Sequence, residues 1–309
     1  MLKRRGFTLI ELLVAVVLLG IVGLTVARVL TSMLRVTQAQ VLLARSQGTA
    51  RTGSLALPSE FREIGYDTIP GITNQSDLAA IAAHRLTFRA MRGMGVSCAV
   101  TFGGANGGMD AIWVRKPTWG MNDVPATTDS LLVFVENDRN QGGDDQWVPI
   151  DIQDIDKTAT CGADNAIKFT LKSEPTHLPA GSGGNSVVNG AQFFVGAPVR
   201  WFEEMEYGPV IDATTGKAYV GARSINKGQN TLSAVLGPIP DTLSFALTYY
   251  DVNGNVLDPA TATKFDVRSI GVDLTGTTSS GISLGGGSSR ARGSSAIFTR
   301  VALRNVLRP

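Results

Sequence analysis

From Phe7 to Ala27 the chain runs for 21 residues with a single charge, Glu11. A helix of that length reaches roughly 32 Å, enough to cross the hydrocarbon core of a bilayer. Lys3, Arg4 and Arg5 stand just before it, which directs the N-terminus to the cytoplasm and the rest of the chain to the far side. Glu11 is the costly residue, because a charge near the bilayer centre costs about 2.5–3.5 kcal/mol on insertion scales. It therefore calls for a partner. Three readings follow. A secretory signal would be cut beyond the apolar run, with Thr25-Val26-Ala27 as the small-x-small site. A plain anchor gives no reason for Glu11. Cleavage after Gly6 would keep the whole helix.

The residues around Gly6 select among these. Lys3-Arg4-Arg5-Gly6 followed by Phe7-Thr8-Leu9-Ile10-Glu11 resembles the class III leader of type IV prepilins and pseudopilins. The resemblance implies cutting by a prepilin peptidase between Gly6 and Phe7, with methylation of the new N-terminal amine on Phe7. It also implies that Glu11 pairs with the amine of a neighbouring subunit. Such pairing makes the acid tolerable, since a buried charge is costly chiefly when it is left alone.

Helical spacing continues past the apolar run. Val22, Val26, Val29, Met33 and Val36 alternate by four and three, a coiled-coil kind of seam. The expected outcome is a helix that suits lipid in its first half and packs on its own head in its second. Where many pilins have a proline, this chain has Gly20 and Gly23, each loosening a helix by about 1 kcal/mol relative to alanine. Gly48, Gly53 and Pro58 are expected to interrupt the helix, with Ser59–Ile64 as its last turns.

Beyond residue 65 the pattern changes to short β-forming runs separated by turns. Strands are expected at 86–91, 111–115, 130–135, 166–171, 199–207, 218–223, 243–250, 267–274 and 297–304. Leu78–His84 reads as a short helix, Pro70-Gly71 as a turn and Asn253-Gly254 as a two-residue hairpin turn. Glycine-serine stretches at 181–186 and 276–289 read as loops. The expected fold class is α+β, a long N-terminal helix packed on an antiparallel β-rich head. Its parts are a leader at 1–6, a membrane or filament-core helix at 7–27, an amphipathic continuation at 28–65 and a head at 66–309.

Charge says little about partners once the leader is set aside. The chain has 28 basic and 26 acidic residues. Loss of Lys3, Arg4 and Arg5 leaves 25 against 26, a net of −1, which supports neither a nucleic-acid nor an acidic-substrate reading. Cys98 and Cys161 are the only cysteines. In an oxidising compartment they are read as one disulfide, with two buried thiols as the alternative.

Two further features point to binding. Asp138, Asn140, Asp144 and Asp145 form an oxygen-rich loop, but Gly142 and Pro149 stand where an EF-hand needs ligands. The favoured reading is a solvated turn, with calcium the alternative and no other cofactor expected. Arg290, Arg292, Arg300, Arg304 and Arg308 follow the last acid, Asp273. They read as the polar face of a final strand, with an acidic neighbour or DNA phosphate as the alternative. Catalytic patterns are missing: His84 and His177 have no nearby cysteine, no nucleophile elbow and no zinc motif, and no phosphate loop occurs. The chain is expected not to be an enzyme.

The order of segments adds a second resemblance. Phe61-Arg62-Glu63-Ile64-Gly65-Tyr66, Val199-Arg200-Trp201-Phe202-Glu203, Leu243-Ser244-Phe245 and Tyr249-Tyr250-Asp251 occur in sequence. Val267-Arg268-Ser269-Ile270-Gly271-Val272 and Val301-Ala302-Leu303-Arg304-Asn305 follow. Together they resemble large minor pilins of the PilW-like group and J-type pseudopilins. This implies a low-copy filament subunit that primes or caps assembly, first in the inner membrane with its head in the periplasm. The implied partners are prepilin peptidase, other major and minor pilins or pseudopilins, the inner-membrane assembly platform and lipid. An adhesive or DNA-uptake subunit is the alternative, and a membrane-anchored hydrolase a remote one.

Overall fold

A computed structural model describes residues 8–62, 64–67, 75–102, 109–119, 125–135, 146–172, 195–278, 280–281 and 292–303. Helix α1, Leu9–Arg62, has 54 residues and extends about 80 Å. It runs through Gly48, Gly53 and Pro58 without a break, contrary to the sequence expectation, and the cause is tertiary. Ala39, Ser46, Ala50, Gly53, Leu57 and Phe61 recur at spacings of three, four and seven and are buried. A Cβ on Gly53 would lie 2.2 Å from a Leu274 methyl and 2.6 Å from one of Leu236. Gly53 is therefore a position where the helix lies tight against the sheet, and packing outweighs its poor helix propensity.

The strands, all paired antiparallel, follow in chain order. They are β1 Tyr66–Asp67, β2 Gln75–Ser76, β3 Leu78–Ala82, β4 Arg85–Phe102, β5 Met109–Trp119 and β6 Ser130–Val135. Next come β7 Gln146–Asp156, β8 Thr160–Cys161, β9 Asp164–Leu171, β10 Pro198–Ile211, β11 Ala218–Ser224 and β12 Ser233–Ile239. After a 3-10 turn at Thr242–Ser244 the chain ends in β13 Phe245–Tyr250, β14 Val256–Leu257, β15 Ser269–Thr277 and β16 Ser294–Ala302. The large sheet runs β12-β11-β10-β6-β7-β9-β5-β4-β3, and a further β10–β4 pairing closes six of its strands into a barrel. The second sheet has the order β14-β13-β15-β16.

Two long strands organise the head. One end of β4 and β10, where Val199 pairs with Gly95, belongs to the barrel. The other end, where Tyr207 pairs with Leu86, is flanked by β3 and β11. The segments from β5 to β9 are thus inserted between two strands that pair directly. The barrel has its own core around Trp201, Phe169, Ile112 and Ile152. Trp201 fits because its partner Gly93 has no side chain: a Cβ there would lie 2.1 Å from the indole ring. The second core lies where α1 meets both sheets. Phe61 inserts edge-on to Phe88 and Tyr207, at ring-centroid distances of 5.5 and 5.9 Å, the favoured arrangement of aromatic quadrupoles. Cys98 on β4 and Cys161 on β8 form the expected disulfide.

Several local expectations fail for identifiable reasons. Leu78–His84 is a strand and turn, not a helix. Leu78 is buried while the exposure of the next residues alternates, and Tyr249 Oη donates to the Ala82 carbonyl at 2.8 Å. Asn253-Gly254 lies in a five-residue connection, 251–255, rather than a two-residue turn. The Asp251 carboxylate accepts the N–H groups of Asn253 and Asn255, both at 2.8 Å, and Gly254 takes φ +83°. Leu243 falls in the 3-10 turn. β7 and β12 are additional to the expected strands, and each contains a proline, a residue that the middle of a sheet disfavours. Pro149 lies in the part of β7 that pairs with β6, beyond the stretch paired with β9. Pro238 lies on an edge strand. The turn expected at Pro70-Gly71 lies outside the described residues, as do the loop expected at 181–186 and residues 279 and 282–289 of the loop expected at 276–289. Gly276 and Thr277, expected to begin the second of these loops, end β15.

Candidate functional site

The start of α1 is built by Thr8 and Glu11. Thr8 is the residue before the helix, and Glu11 is the third residue within it. The Glu11 N–H donates to Thr8 Oγ1 at 3.3 Å, and the Thr8 N–H donates to Glu11 Oε2 at 3.4 Å. The Thr8 hydroxyl also donates to Oε2 at 3.4 Å. This reciprocal pattern is a capping box, and it places a carboxylate at the positive end of the helix dipole. The bonds are longer than the usual 2.7–3.2 Å range, so they hold the carboxylate weakly. Oε1 makes no hydrogen bond among the described residues. Glu11 can therefore exchange this cap for a cation without leaving a strong bond behind. Gly6 and Phe7 lie outside the described residues.

Below the head the helix has no partner among the described residues. Every residue from Thr8 to Gln38 is exposed, and burial begins at Ala39. The seam of Val22, Val26, Val29, Met33 and Val36 thus does not pack on the head, which corrects the expectation that the second half of the helix does so along this seam. The residues that do pack are small at first (Ala39, Ser46, Ala50, Gly53), and a search for large apolar side chains passes over them. Leu9–Arg62 includes a stretch long and apolar enough to cross a membrane.

Where α1 ends, a chain of charges fastens it to the β-structure. Arg92 on β4 bonds Glu60 of the helix at 3.2 Å and Glu203 of β10 at 2.9 Å, and Lys227 bonds Glu203 at 2.6 Å. Burial pushes the Glu203 carboxyl up, but its bonds to Lys227 and Arg92 outweigh burial and hold it below the ordinary range. Asp129 behaves oppositely, its carboxyl raised chiefly by burial. Nothing in the sequence groups these residues, which come from four distant segments. Each charge in the chain from Glu60 to Lys227 has an opposite charge in contact, and the cluster is a structural fastening.

The remaining candidates separate. Asp138, Asn140, Asp144 and Asp145 lie outside the described residues, and among the described residues no group of three His, Cys, Asp or Glu is arranged to hold a metal. His84 Nδ1 lies 2.7 Å from the Phe245 carbonyl oxygen, a bond that ties the β3–β4 turn to β13. His177 is outside the described residues. Of the five C-terminal arginines, Arg292 and Arg300 are described. Arg300 lies over the Tyr250 ring at 3.8 Å, and its Nε donates to Ser269 Oγ at 2.8 Å.

Residues 1–27 match the prokaryotic N-terminal methylation motif. With the capped Glu11 and the apolar helix, this defines a type IV prepilin-like class III leader. This leader is like that of type IV pilins and pseudopilins, and it implies processing by prepilin peptidase and pilin-type partners. Comparison with curated proteins and with solved structures gives no match.

Proposed function

We propose that the protein is a non-enzymatic, low-copy subunit of a type IV pilus or type II secretion pseudopilus that helps to prime or cap the filament. The observation that carries this reading is the pairing of a methylation-type leader with a helix exposed from Thr8 to Gln38. An apolar helix of this kind has two ways to cover itself. Lipid covers roughly 30 Å of it, and the helices of neighbouring subunits can cover all of it. Before assembly the chain sits in the inner membrane with its head in the periplasm. On assembly, the methylated Phe7 amine of one subunit takes the weakly held Glu11 carboxylate of another. The low-copy role is supported by the barrel, which enlarges the head well beyond the helix and sheets that hold it. Neither calcium nor another cofactor enters this reading.

The test is the N-terminal residue of the mature chain by mass spectrometry, in membrane and sheared-filament fractions. Methyl-Phe7 in both is the expected result. A chain that begins after Ala27 would remove the basis of the proposal.

A further inference from the structure

We propose that Arg28 and Arg35 of α1 set this chain's neighbour in the filament: a different pilin-type subunit whose helix carries carboxylates at the same level. This rests on the filament reading above. The inference begins from the charge of the helix. From Leu12 to Ser59 it holds Arg28, Arg35, Arg45 and Arg51, with no acid and no lysine. In the head, Arg85, Arg92, Arg115, Arg223 and Lys227 each lie against a carboxylate. The four helix arginines are exposed and make no ion pair among the described residues.

Membrane orientation does not account for them. Cations orient a membrane helix when they stand on its cytoplasmic side, and Lys3, Arg4 and Arg5 fill that role. Arg28 and Arg35 stand on the other side in the proposed orientation, where they oppose it. Nor does the head hold them: every residue from Thr8 to Gln38 is exposed, and burial begins at Ala39. Arg45 and Arg51 continue the charge along the exposed side of the part that packs on the head.

Assembly gives these cations a cost and a use. Arg28 and Arg35 are one heptad apart, so they share a helix face, about 10 Å apart along the axis. They lie off the seam of Val22, Val26, Val29, Met33 and Val36, so a helix that covers the seam leaves their face to another. A guanidinium packed between helices needs a carboxylate in contact, because a desolvated charge without a partner is costly. Carboxylates two turns apart on the facing helix form charge-assisted bonds to both arginines.

A second copy of this chain does not supply them. The Phe7–Glu11 contact proposed above sets adjacent helices about four residues, or about 6 Å, out of step along the axis. In a second copy, Leu24 or Ser32 then lies level with Arg28, and Thr31 or Ala39 with Arg35. None is acidic, and the nearest charges are the copy's own arginines. Like charges across packed helices disfavour self-pairing. The charge that recruits an acid-bearing subunit therefore also keeps two copies of this chain apart, in accord with a low-copy role.

The test compares Arg28→Glu/Arg35→Glu with Arg28→Lys/Arg35→Lys in the full chain, produced with its native assembly machinery. Neither pair touches the head. The glutamate pair should lower the number of copies in sheared filaments about tenfold, and the lysine pair should stay within about threefold of the unaltered chain. Ser32 lies between the two arginines on their face, and a photo-crosslinking phenylalanine there leaves every charge in place. Its filament adduct should map to an Asp- or Glu-containing stretch of a different subunit's helix. An adduct between two copies of this chain, to an acid-free segment or to lipid alone overturns the proposal, as does no adduct. Absence of the unaltered chain from filaments overturns the filament reading as well. Its presence, with undiminished incorporation of the glutamate pair, overturns the charge selection alone.

Discussion

The Glu11 carboxylate closes a weak cap from the third position of a helix that begins after Thr8. In the proposed filament the same group receives the amine of a neighbouring subunit. The Glu11→Ala variant should still be trimmed between Gly6 and Phe7, because its own cap is worth only about 1 kcal/mol. It should enter filaments at least tenfold less, as an amine left unpaired in an apolar bundle costs several kcal/mol. Immunoblots of sheared filaments, beside the mass of the N-terminal peptide, measure both effects. Filament incorporation equal to that of the unaltered chain would exclude the pairing.

At the scale of elements, the join between α1, β4 and β10 depends on Arg92. Glu60 and Glu203 converge on it from the helix and from β10, so Arg92→Met should cost roughly 3 kcal/mol by leaving Glu60 unpaired and Glu203 with Lys227 alone. Urea unfolding of the detergent-solubilised chain would show this as a lower midpoint. Acid has a related effect. The Glu203 carboxyl is held below its ordinary range in the folded state, so its contribution is complete above the unfolded value, near 4.3. It is lost as pH falls through the lower folded value. Asp129, raised by burial, works in the other direction and regains stability on acidification. The acid loss attributable to Glu203 should be shallower in Arg92→Met, which urea midpoints between about pH 3 and 6 would resolve.

How far elements were legible depended on the reach of the forces that set them. β6 was expected at Ser130–Val135 and occupies those residues, because its apolar run is local. Strand β3 was misread, because an alanine-rich stretch has weak preferences and the pairing with β4 decided it. The helix was expected to break at Gly48, Gly53 and Pro58. It continues because Leu274 and Leu236 fill the space that a side chain on Gly53 would need.

Across the whole molecule, the barrel and the helix-bearing layers have separate cores joined by β4 and β10. The Cys98–Cys161 bridge belongs to the barrel side, between β4 and β8. With a separation of 63 residues, the chain-entropy account gives it roughly 4 kcal/mol. Cys98→Ser/Cys161→Ser should therefore lower Tm by several degrees. It should also raise amide exchange in β8, β9 and the barrel end of β4, while amides around Phe61 and Phe88 stay protected. Uniform loss of protection across both cores would show that they unfold as one unit.

The sequence by itself determined the leader, the apolar helix and the place of Glu11, because each depends on composition and spacing within a few turns of chain. It also determined that the head is antiparallel β-structure. Tertiary structure alone decided that β10 meets β4 to close a barrel and that Glu60, Arg92, Glu203 and Lys227 converge. These are pairings between segments as many as about 120 residues apart. Their free energy comes from burial and register that no local window of sequence contains.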